Sequence, residues 1–128
     1  MWKDHETMAK VVQAGHPALL AYNWYLDHLG TGWSEFYHND PARGIFDPNQ
    51  LKLVYGGECC MWGETADYTN VDPKVWPRTS AAGERLWSGS LDRVSAFTRL
   101  QYQRCRFVKR GIMASPIYPG PPCSTYDI

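Results

Sequence analysis

The sequence predicts an α/β fold in which helices alternate with the strands of a parallel sheet. Two apolar runs, one at residues 18–22 and one that opens at Leu53, are typical of buried strands because they lack polar alternation. Helical patterns precede the first run and follow the second, and polar and aromatic residues stand just after each run. In parallel sheets of this kind the C-terminal ends of the strands carry the chemistry. Two strands do not make a sheet that can be covered on both sides, so either further strands belong to the domain or the chain is a piece of one.

The first part of the chain predicts a helix followed by a strand. Residues 4–14 have the helical pattern, and Gly15 with Pro17 beyond it forms a stop signal. The apolar residues of its stripe are Met8, Val11 and Val12. The strand at residues 18–22 then leads into a polar and aromatic cluster at residues 23–27, which predicts a functional strand end.

The segment between the two strands, residues 30–50, predicts a long ordered loop with at most a short helix. Its Gly, Pro, Asn and Asp residues are scattered among aromatic ones. Loops of more than ~15 residues in compact domains are usually functional.

Two helices are predicted after the second strand. Asp72 and Pro73 supply an N-cap and a proline at the first helical position, and Pro77 still lies near the first turn of the helix they open. That helix is expected to continue to Leu86. The last helix covers about residues 91–110 and is followed by a glycine. Its predicted apolar stripe is Val94, Phe97, Cys105 and Val108.

The end of the second strand carries an indole and a carboxylate two residues apart, Trp62 and Glu64. Residues i and i+2 of a strand point to the same face, so both side chains are expected to project together. An aromatic platform beside a carboxylate suits a sugar ring. The alternative is a core Trp with a surface Glu, which this stretch alone favours slightly. Cys59 and Cys60 are interpreted as small core residues of the same strand.

Composition limits the classes of function. At 128 residues the chain has the length of one domain, and its 13 acidic and 13 basic side chains cancel, which argues against a nucleic-acid or membrane-surface partner. No run approaches the ~20 apolar residues of a membrane span, and the first residues contain no hydrophobic signal region. Six Trp and eight Tyr fit ligand-binding faces as well as a core. Nothing in the sequence indicates a metal or cofactor.

Cys105 and Cys123 flank the end of the last helix and a Pro-rich tail. The tail has no other evident means of staying docked, and a disulfide between these cysteines would hold it and imply an oxidising compartment. The alternative is two unrelated free thiols.

Several motifs occur in register along almost the whole chain: Trp-Tyr-Leu-Asp at 24–27, Gly-Gly-Glu-Cys-Cys-Met-Trp-Gly-Glu at 56–64, Trp-Pro-Arg at 76–78, Gly-Glu-Arg-Leu-Trp-Ser at 83–88, Arg-Cys-Arg at 104–106 and Arg-Gly-Ile at 110–112. With these motifs the chain resembles the C-terminal part of the β-N-acetylhexosaminidases of glycoside hydrolase family 20, most of all the animal lysosomal type. The resemblance implies that residues 1–128 are about the last two or three β/α units of a (β/α)8 TIM barrel. It also implies the Cys105–Cys123 disulfide, which would hold a tail at residues 105–128.

The activity that the resemblance implies is removal of terminal, non-reducing N-acetylglucosamine or N-acetylgalactosamine from a glycan. The substrate's own acetamido oxygen attacks the anomeric carbon, so the protein holds the acetamide in place and supplies no covalent nucleophile. The resemblance further implies a lysosomal or extracellular location, a dimer in the full-length protein and no cofactor.

The same resemblance implies roles for five residues. Trp2 and Trp62 match walls around the acetamido methyl group, at the ends of the sixth and eighth barrel strands. Tyr25, after the seventh strand, matches a hydroxyl that hydrogen-bonds the acetamido oxygen and stabilises its developing charge. Asp27 and Glu64 match positions that bind sugar hydroxyls near O6 and O4. Asp rather than Asn at position 27 favours neutral over 6-sulfated sugars by charge repulsion, which is a hypothesis to be tested with both substrates.

Other matched residues are interpreted as structural: Trp24, Glu58, Glu84, Arg85 and Trp87. The four histidines match no catalytic role and are interpreted as incidental: His5, His16, His28 and His38.

The sequence departs from the family in two ways. It contains no Asp-Glu pair, which in the family supplies the general acid, and only Met1 stands where an apolar sixth strand should lead into Trp2. A barrel of this type has ~250 residues, about twice this length. The 128 residues alone are therefore expected to be inactive and to fold marginally, because half of the barrel core is unmade. The competing hypotheses are a non-catalytic carbohydrate-binding or dimerisation module and, less compatible with the polar strand ends, a structural protein without a sugar site.

Overall fold

The structure is a computed structural model that describes residues 1–88, 91–118 and 120–125. It contains the predicted parallel sheet with helices before, between and after its strands. The elements in chain order are α1 (His5–Gln13), β1 (Ala18–Leu20), α2 (Trp33–His38), α3 (Pro48–Leu51), β2 (Val54–Gly57), α4 (Val71–Val75), α5 (Arg78–Trp87), α6 (Arg93–Lys109) and a 3₁₀ turn (Cys123–Thr125).

The sheet consists of β1 and β2, which pair in parallel with Ala18 opposite Val54 and Leu20 opposite Gly57. The prediction of an α/β fold with a parallel sheet is therefore confirmed. The prediction that β1 is covered on both faces is wrong within the described residues, because Leu20 is buried whereas Leu19 is exposed. The helices cover one face of the strand, and no described element covers the other.

Helix α1 forms where the sequence predicts it. Asp4 caps its N-terminus by accepting a hydrogen bond from the Thr7 amide, and Met8 and Val12 are buried. The chain leaves the helix through Gly15, whose φ of +86° lies in the left-handed region that favours glycine.

The connection between the strands is an ordered loop, as predicted, but it contains two short helices, α2 and the start of α3, where at most one was expected. Helix α2 buries Phe36 and Tyr37 and packs against α5. These side chains join Met8, Leu20 and Trp24 in one hydrophobic core beneath the sheet.

The single helix predicted from Asp72 to Leu86 is wrong. The chain forms two helices, α4 and α5, with Trp76 and Pro77 between them. Trp76 has an extended backbone, as residues before proline prefer, and Pro77 has no amide hydrogen to continue the helical ladder. Asp72 is also not the N-cap, since α4 begins one residue earlier at Val71 with Asn70 before it.

Helix α6 is present, but its predicted apolar stripe is partly wrong. Cys105 is buried as expected, whereas Val94 is 86% exposed and Val108 is also exposed. The buried residues are Ala96, Leu100, Gln101, Cys105 and Phe107. The pattern in the sequence is ambiguous because small and polar residues occupy part of the buried face.

The C-terminal tail is held by the predicted Cys105–Cys123 disulfide, which the structure confirms. Arg104 supports the preceding segment by donating to the carbonyls of Ala114 and Ser115, at 3.4 and 3.1 Å. Within the described residues, no helix has the length and apolar character that crossing a bilayer requires.

Candidate active site

The candidate site lies where β1 and β2 end at the same edge of the sheet. Beyond the strands the two chains pair again, because Tyr25 and Cys60 form a parallel bridge. The Leu26 amide donates to the Cys60 carbonyl at 2.8 Å, and the Cys60 amide donates to the Trp24 carbonyl at 3.0 Å. The residues that follow each strand are thus fixed beside one another by main-chain bonds.

A tight turn separates β1 from this second pairing. The Trp24 amide donates to the Ala21 carbonyl at 3.0 Å, and Asn23 between them has a φ of +64°. Asn is one of the few residues other than Gly that adopts this left-handed conformation readily. The turn brings Tyr25 back to the sheet edge instead of letting the chain run on past it.

The first residues of the chain lie along the other edge of β1. The Met1 ammonium group donates to the Leu19 carbonyl, and the Ala21 amide donates to the Met1 carbonyl at 2.7 Å. This is the bonding pattern of a parallel pair. Trp2 therefore lies beside the end of β1, near the segments that carry Tyr25 and Trp62.

Together the first residues of the chain and the segments after β1 and β2 surround a cavity of about 840 Å³. All five residues for which the sequence predicts substrate binding line it: Trp2, Tyr25, Asp27, Trp62 and Glu64. The other lining residues are Met1, Lys3, Ala21, Tyr22, Asn23, His28, Glu58 and Cys60. The predicted site residues, which are spread over more than 60 positions of the chain, are therefore brought to one place.

The prediction that Trp62 and Glu64 project from one face of a strand is wrong. Strand β2 ends at Gly57, and both residues lie in the irregular segment after the Cys60 bridge. Trp62 is 56% exposed and Trp2 is 70% exposed, so both indoles present broad apolar surface around the cavity. Exposed indole faces of this kind are suited to packing on a ligand.

Tyr25 is half-buried in the cavity wall. Burial raises the pKa of its hydroxyl, and the nearby Cys60, Asp27 and Glu58 raise that pKa further when they are charged. The hydroxyl therefore stays protonated at neutral and acidic pH and is available as a hydrogen-bond donor. Its ring stacks on the imidazole of His28, with the ring centroids 5.3 Å apart.

Asp27 has a carboxylate oxygen that is free to accept a hydrogen bond. Its side chain is 17% exposed, and within the described part of the chain its Oδ1 atom is buried without a hydrogen-bond partner. The other oxygen, Oδ2, lies 3.8 Å from Nε2 of His28. Buried polar atoms are normally paired, so Oδ1 needs a hydrogen-bond donor that the described residues do not supply.

Three of the residues interpreted as structural make contacts that fit such a role: Trp24, Glu84 and Arg85. Trp24 is wholly buried and its indole N–H donates to the Phe36 carbonyl at 2.9 Å, which supports that role. Arg85 pairs with Asp40 at 2.9 Å, and Glu84 pairs with Arg99 at 2.5 Å, both away from the cavity.

For three other residues the structure gives a different picture. Glu58 lines the cavity, so its carboxylate belongs to the site and not only to the scaffold. Cys60 also lines it, whereas Cys59 packs against the core, so the interpretation of both cysteines as core residues is wrong for Cys60. Trp87 is exposed and has no packing role among the described residues.

His28 is the histidine whose interpretation as incidental does not fit its position, because it lines the cavity and contacts Tyr25 and Asp27. Its place directly after Asp27 in a predicted strand end was the signal that could have identified it. His5 hydrogen-bonds Asn39 at 3.1 Å outside the cavity. In the described ranges, no group of three His, Cys, Asp or Glu side chains is placed to hold a metal ion.

Known proteins are similar in sequence to this chain over most of its length. The family model described as glycosyl hydrolase family 20, catalytic domain, matches residues 1–90. The chain is 45% identical to a β-hexosaminidase subunit beta of Felis catus, covering 94% of this chain and 24% of that protein. It is 42% identical to β-hexosaminidase 1 of Arabidopsis thaliana, covering 91% and 23%. The chain thus spans about a quarter of the length of the curated relatives that it matches.

Solved structures show the same arrangement of elements. The chain superimposes on a chitobiase of Flavobacterium johnsoniae with a TM-score of 0.79 and 28% identity, covering 88% of this chain and 19% of that one. It also superimposes on an exo-β-N-acetylglucosaminidase of Vibrio harveyi in complex with N-acetylglucosamine, with a TM-score of 0.77 and 18% identity over 90% of this chain and 21% of that one. At that identity the second match shows the fold alone. The family match over residues 1–90 and the sequence identity to the hexosaminidases establish that the chain belongs to glycoside hydrolase family 20.

Proposed function

We propose that the protein to which this chain belongs is a β-N-acetylhexosaminidase, and that these residues form the acetamide-binding part of its sugar site. The observation that carries the proposal is the convergence of Trp2, Tyr25, Asp27, Trp62 and Glu64 on one cavity at the strand ends. The reaction would be hydrolysis of terminal, non-reducing N-acetylglucosamine or N-acetylgalactosamine from a glycan. Two of the relatives described above are named β-hexosaminidases.

In this proposal the chain is the C-terminal segment of a (β/α)8 barrel, with β1 and β2 as the seventh and eighth strands and Met1 at the end of the sixth. The parallel pairing of β1 with β2 and the bonds from Met1 to the outer edge of β1 support this placement. Leu19 and Tyr55, which are exposed on the strands, would be covered when further strands complete the barrel. The domain would then cover residues 1–128, with a tail from residue 105.

The proposed mechanism uses the substrate's acetamide as the nucleophile. The indoles of Trp2 and Trp62 would pack on the acetamido methyl group, exclude water and restrict its rotation. The protonated hydroxyl of Tyr25 would donate to the acetamido oxygen as charge develops during attack on the anomeric carbon. The C–O bond to the leaving group breaks as this oxygen attacks, and a water molecule later opens the cyclic intermediate.

Two carboxylates would recognise sugar hydroxyls. The carboxylate of Asp27, which lines the cavity, would accept a hydrogen bond from a hydroxyl near O6, and the exposed carboxylate of Glu64 would accept one near O4. A sugar that lacks the matching hydroxyl would leave the buried Asp27 oxygen unpaired, which penalises its binding.

The proton for the leaving group would come from another part of the protein, since these 128 residues contain no Asp-Glu pair. The Cys105–Cys123 disulfide supports a lysosomal or extracellular location, because disulfides persist in oxidising compartments. A dimer in the full-length protein is also part of the proposal.

The test uses the full-length protein and aryl β-glycosides with and without the 2-acetamido group. Wild type is expected to cleave the N-acetylglucosaminide and to leave the plain glucoside intact, since the plain glucoside has no internal nucleophile. Tyr25→Phe should lower kcat by about 10²- to 10³-fold with little change in KM, as does removal of one oxyanion donor in other enzymes. Tyr68→Phe is the matched control, because Tyr68 is exposed outside the cavity.

Two results would contradict the proposal. Cleavage of the plain glucoside at a similar rate would exclude attack by the acetamide. Saturable N-acetylglucosamine binding without any turnover by the full-length wild type would favour the non-catalytic carbohydrate-binding module instead.

A further inference from the structure

Arg78, at the start of α5, uses its whole guanidinium group to hold the loop that follows Tyr25. Nη1 donates to the carbonyls of His28 and Thr31, at 2.9 and 3.1 Å. Nη2 donates to the carbonyls of Leu26 and, at 2.6 Å, Lys74, and Nε donates to Lys74 at 3.2 Å. A guanidinium group has five N–H donors, and these five bonds engage all of them.

The loop depends on these bonds because it has few of its own. Between Leu26 and Thr31 the described main-chain bonds are the Leu26 amide to Cys60 and a long bond, 3.4 Å, from the Thr31 amide to the His28 carbonyl. Among the described residues, the carbonyls of Leu26 and Thr31 accept from Arg78 and from no other donor. Without Arg78 these carbonyls would have to find water or move.

The surroundings of Arg78 fit a structural anchor better than a ligand-binding cation. Its guanidinium carbon lies 5.3 Å from the centre of the buried Phe36 ring, so the group also makes a cation–π contact with the core. Within the described residues no carboxylate lies within ion-pair distance of it. Its donors are therefore committed to the main chain, and none is left for a substrate.

We propose that Arg78 is a positioning residue of the sugar site, which clamps residues 26–31 so that Asp27 and the neighbouring Tyr25 keep their places in the cavity wall. The proposal rests on the proposed function for its catalytic consequence, but the clamp itself is a property of the fold. Asp27 lies between two of the clamped positions, Leu26 and His28, and any shift of the loop moves its unpaired carboxylate oxygen.

Arg78→Lys is the informative substitution, because it keeps the positive charge but replaces a planar fork of five donors with a single nitrogen that cannot reach four carbonyls. Arg104→Lys is the matched control, since Arg104 also donates to two main-chain carbonyls but supports residues 114–115 in the tail. If Arg78→Lys does not fold, Arg78→Gln serves in its place, because it is uncharged and keeps a planar pair of N–H donors.

The first measurement is limited proteolysis of the full-length protein with chymotrypsin, followed by mass spectrometry of the fragments. Leu29 is an exposed cleavage site within the clamped loop. We expect cleavage after Leu29 to be at least about tenfold faster in Arg78→Lys than in wild type and unchanged in Arg104→Lys. Equal cleavage in all three proteins would overturn the proposal.

The second measurement is steady-state kinetics with an aryl β-N-acetylglucosaminide. Loosening the loop should lower kcat/KM by about 10²-fold through both kcat and KM, whereas Arg104→Lys should keep both constants near wild type. Faster cleavage at Leu29 with unchanged kcat and KM would overturn the positioning role. An inactive wild type would count against the proposed function alone, because the proteolysis result still decides whether Arg78 clamps the loop.

Discussion

Substitution of Gly57 by Ala tests how the sheet edge is built. A Cβ atom at this position would lie 1.9 Å from Cζ3 of Trp24 and 2.7 Å from the Leu20 carbonyl oxygen. Ordinary contacts between carbon atoms are about 3.5 Å or longer, so the nearest ring atom would have to move by about 1.5 Å. Neither neighbour can move easily, because the Leu20 carbonyl accepts from the Glu58 amide and the Trp24 ring is wholly buried.

The cost can be estimated from these contacts. Overpacking of a filled core costs about 1–3 kcal/mol, and displacing the indole also weakens its hydrogen bond to the Phe36 carbonyl, which contributes about 1 kcal/mol. We therefore expect Gly57→Ala to lower the free energy of unfolding by about 2–4 kcal/mol. Because Trp24 precedes Tyr25, kcat/KM should fall as well.

Gly83→Ala is the matched control, since a Cβ atom there would meet nothing within 4 Å and the residue lies in α5, outside the cavity. Both variants of the full-length protein would be compared by urea denaturation and by steady-state kinetics. Equal stability of the two variants, with equal kcat/KM, would refute the packing argument for Gly57.

Two further predictions concern the cysteines. Cys105→Ser should lower the free energy of unfolding by about 3 kcal/mol, because the disulfide closes a loop with a sequence separation of 18; an unchanged urea midpoint would contradict this. Iodoacetamide at pH 8 should label Cys60 before Cys59, because burial raises the pKa of Cys59 to about 11 and leaves only about one thiolate in a thousand at that pH. Tandem mass spectrometry of the peptide distinguishes the two sites, and earlier labelling of Cys59 would contradict this prediction.

The elements that the sequence predicts well are those with local signals. Helix α1 follows its predicted apolar stripe, of which Met8 and Val12 are buried, and ends before Gly15 as predicted. The cap at Asp4 was not part of that prediction. The two strands are continuous apolar runs, and their parallel pairing follows from the helices between and around them. The break between α4 and α5 was missed because Pro77 was placed inside the first turn, whereas the true start of the helix lies earlier in the chain.

For the site, the residues that the sequence predicted to bind substrate line the cavity, but the main-chain path that brings them there was not predicted. Trp62 and Glu64 both line the cavity, although the strand geometry expected for them is absent. The resemblance to the family supplied the residues, while the irregular path after Cys60 has no pattern in the sequence that predicts it. Arg78 could not be recognised as a positioning residue, because its partners are main-chain carbonyls and these leave no trace in the side-chain pattern.

The cavity wall after β1 therefore depends on three features of different kinds. Asn23 turns the chain back to the sheet edge, Gly57 leaves room for the Trp24 ring beneath it, and Arg78 holds the loop beyond Asp27. None of these residues needs to touch a substrate, yet each fixes the main chain on one side of Tyr25 or Asp27. Since a displacement of about 1 Å at a reacting group can reduce a rate by about 10²-fold, we expect substitutions at Gly57 and Arg78 to reduce catalysis to an extent comparable with the loss of a group that contacts the sugar. A surface pocket lined by the same side chains would behave differently, because its affinity for a ligand would not change when such distant residues are substituted.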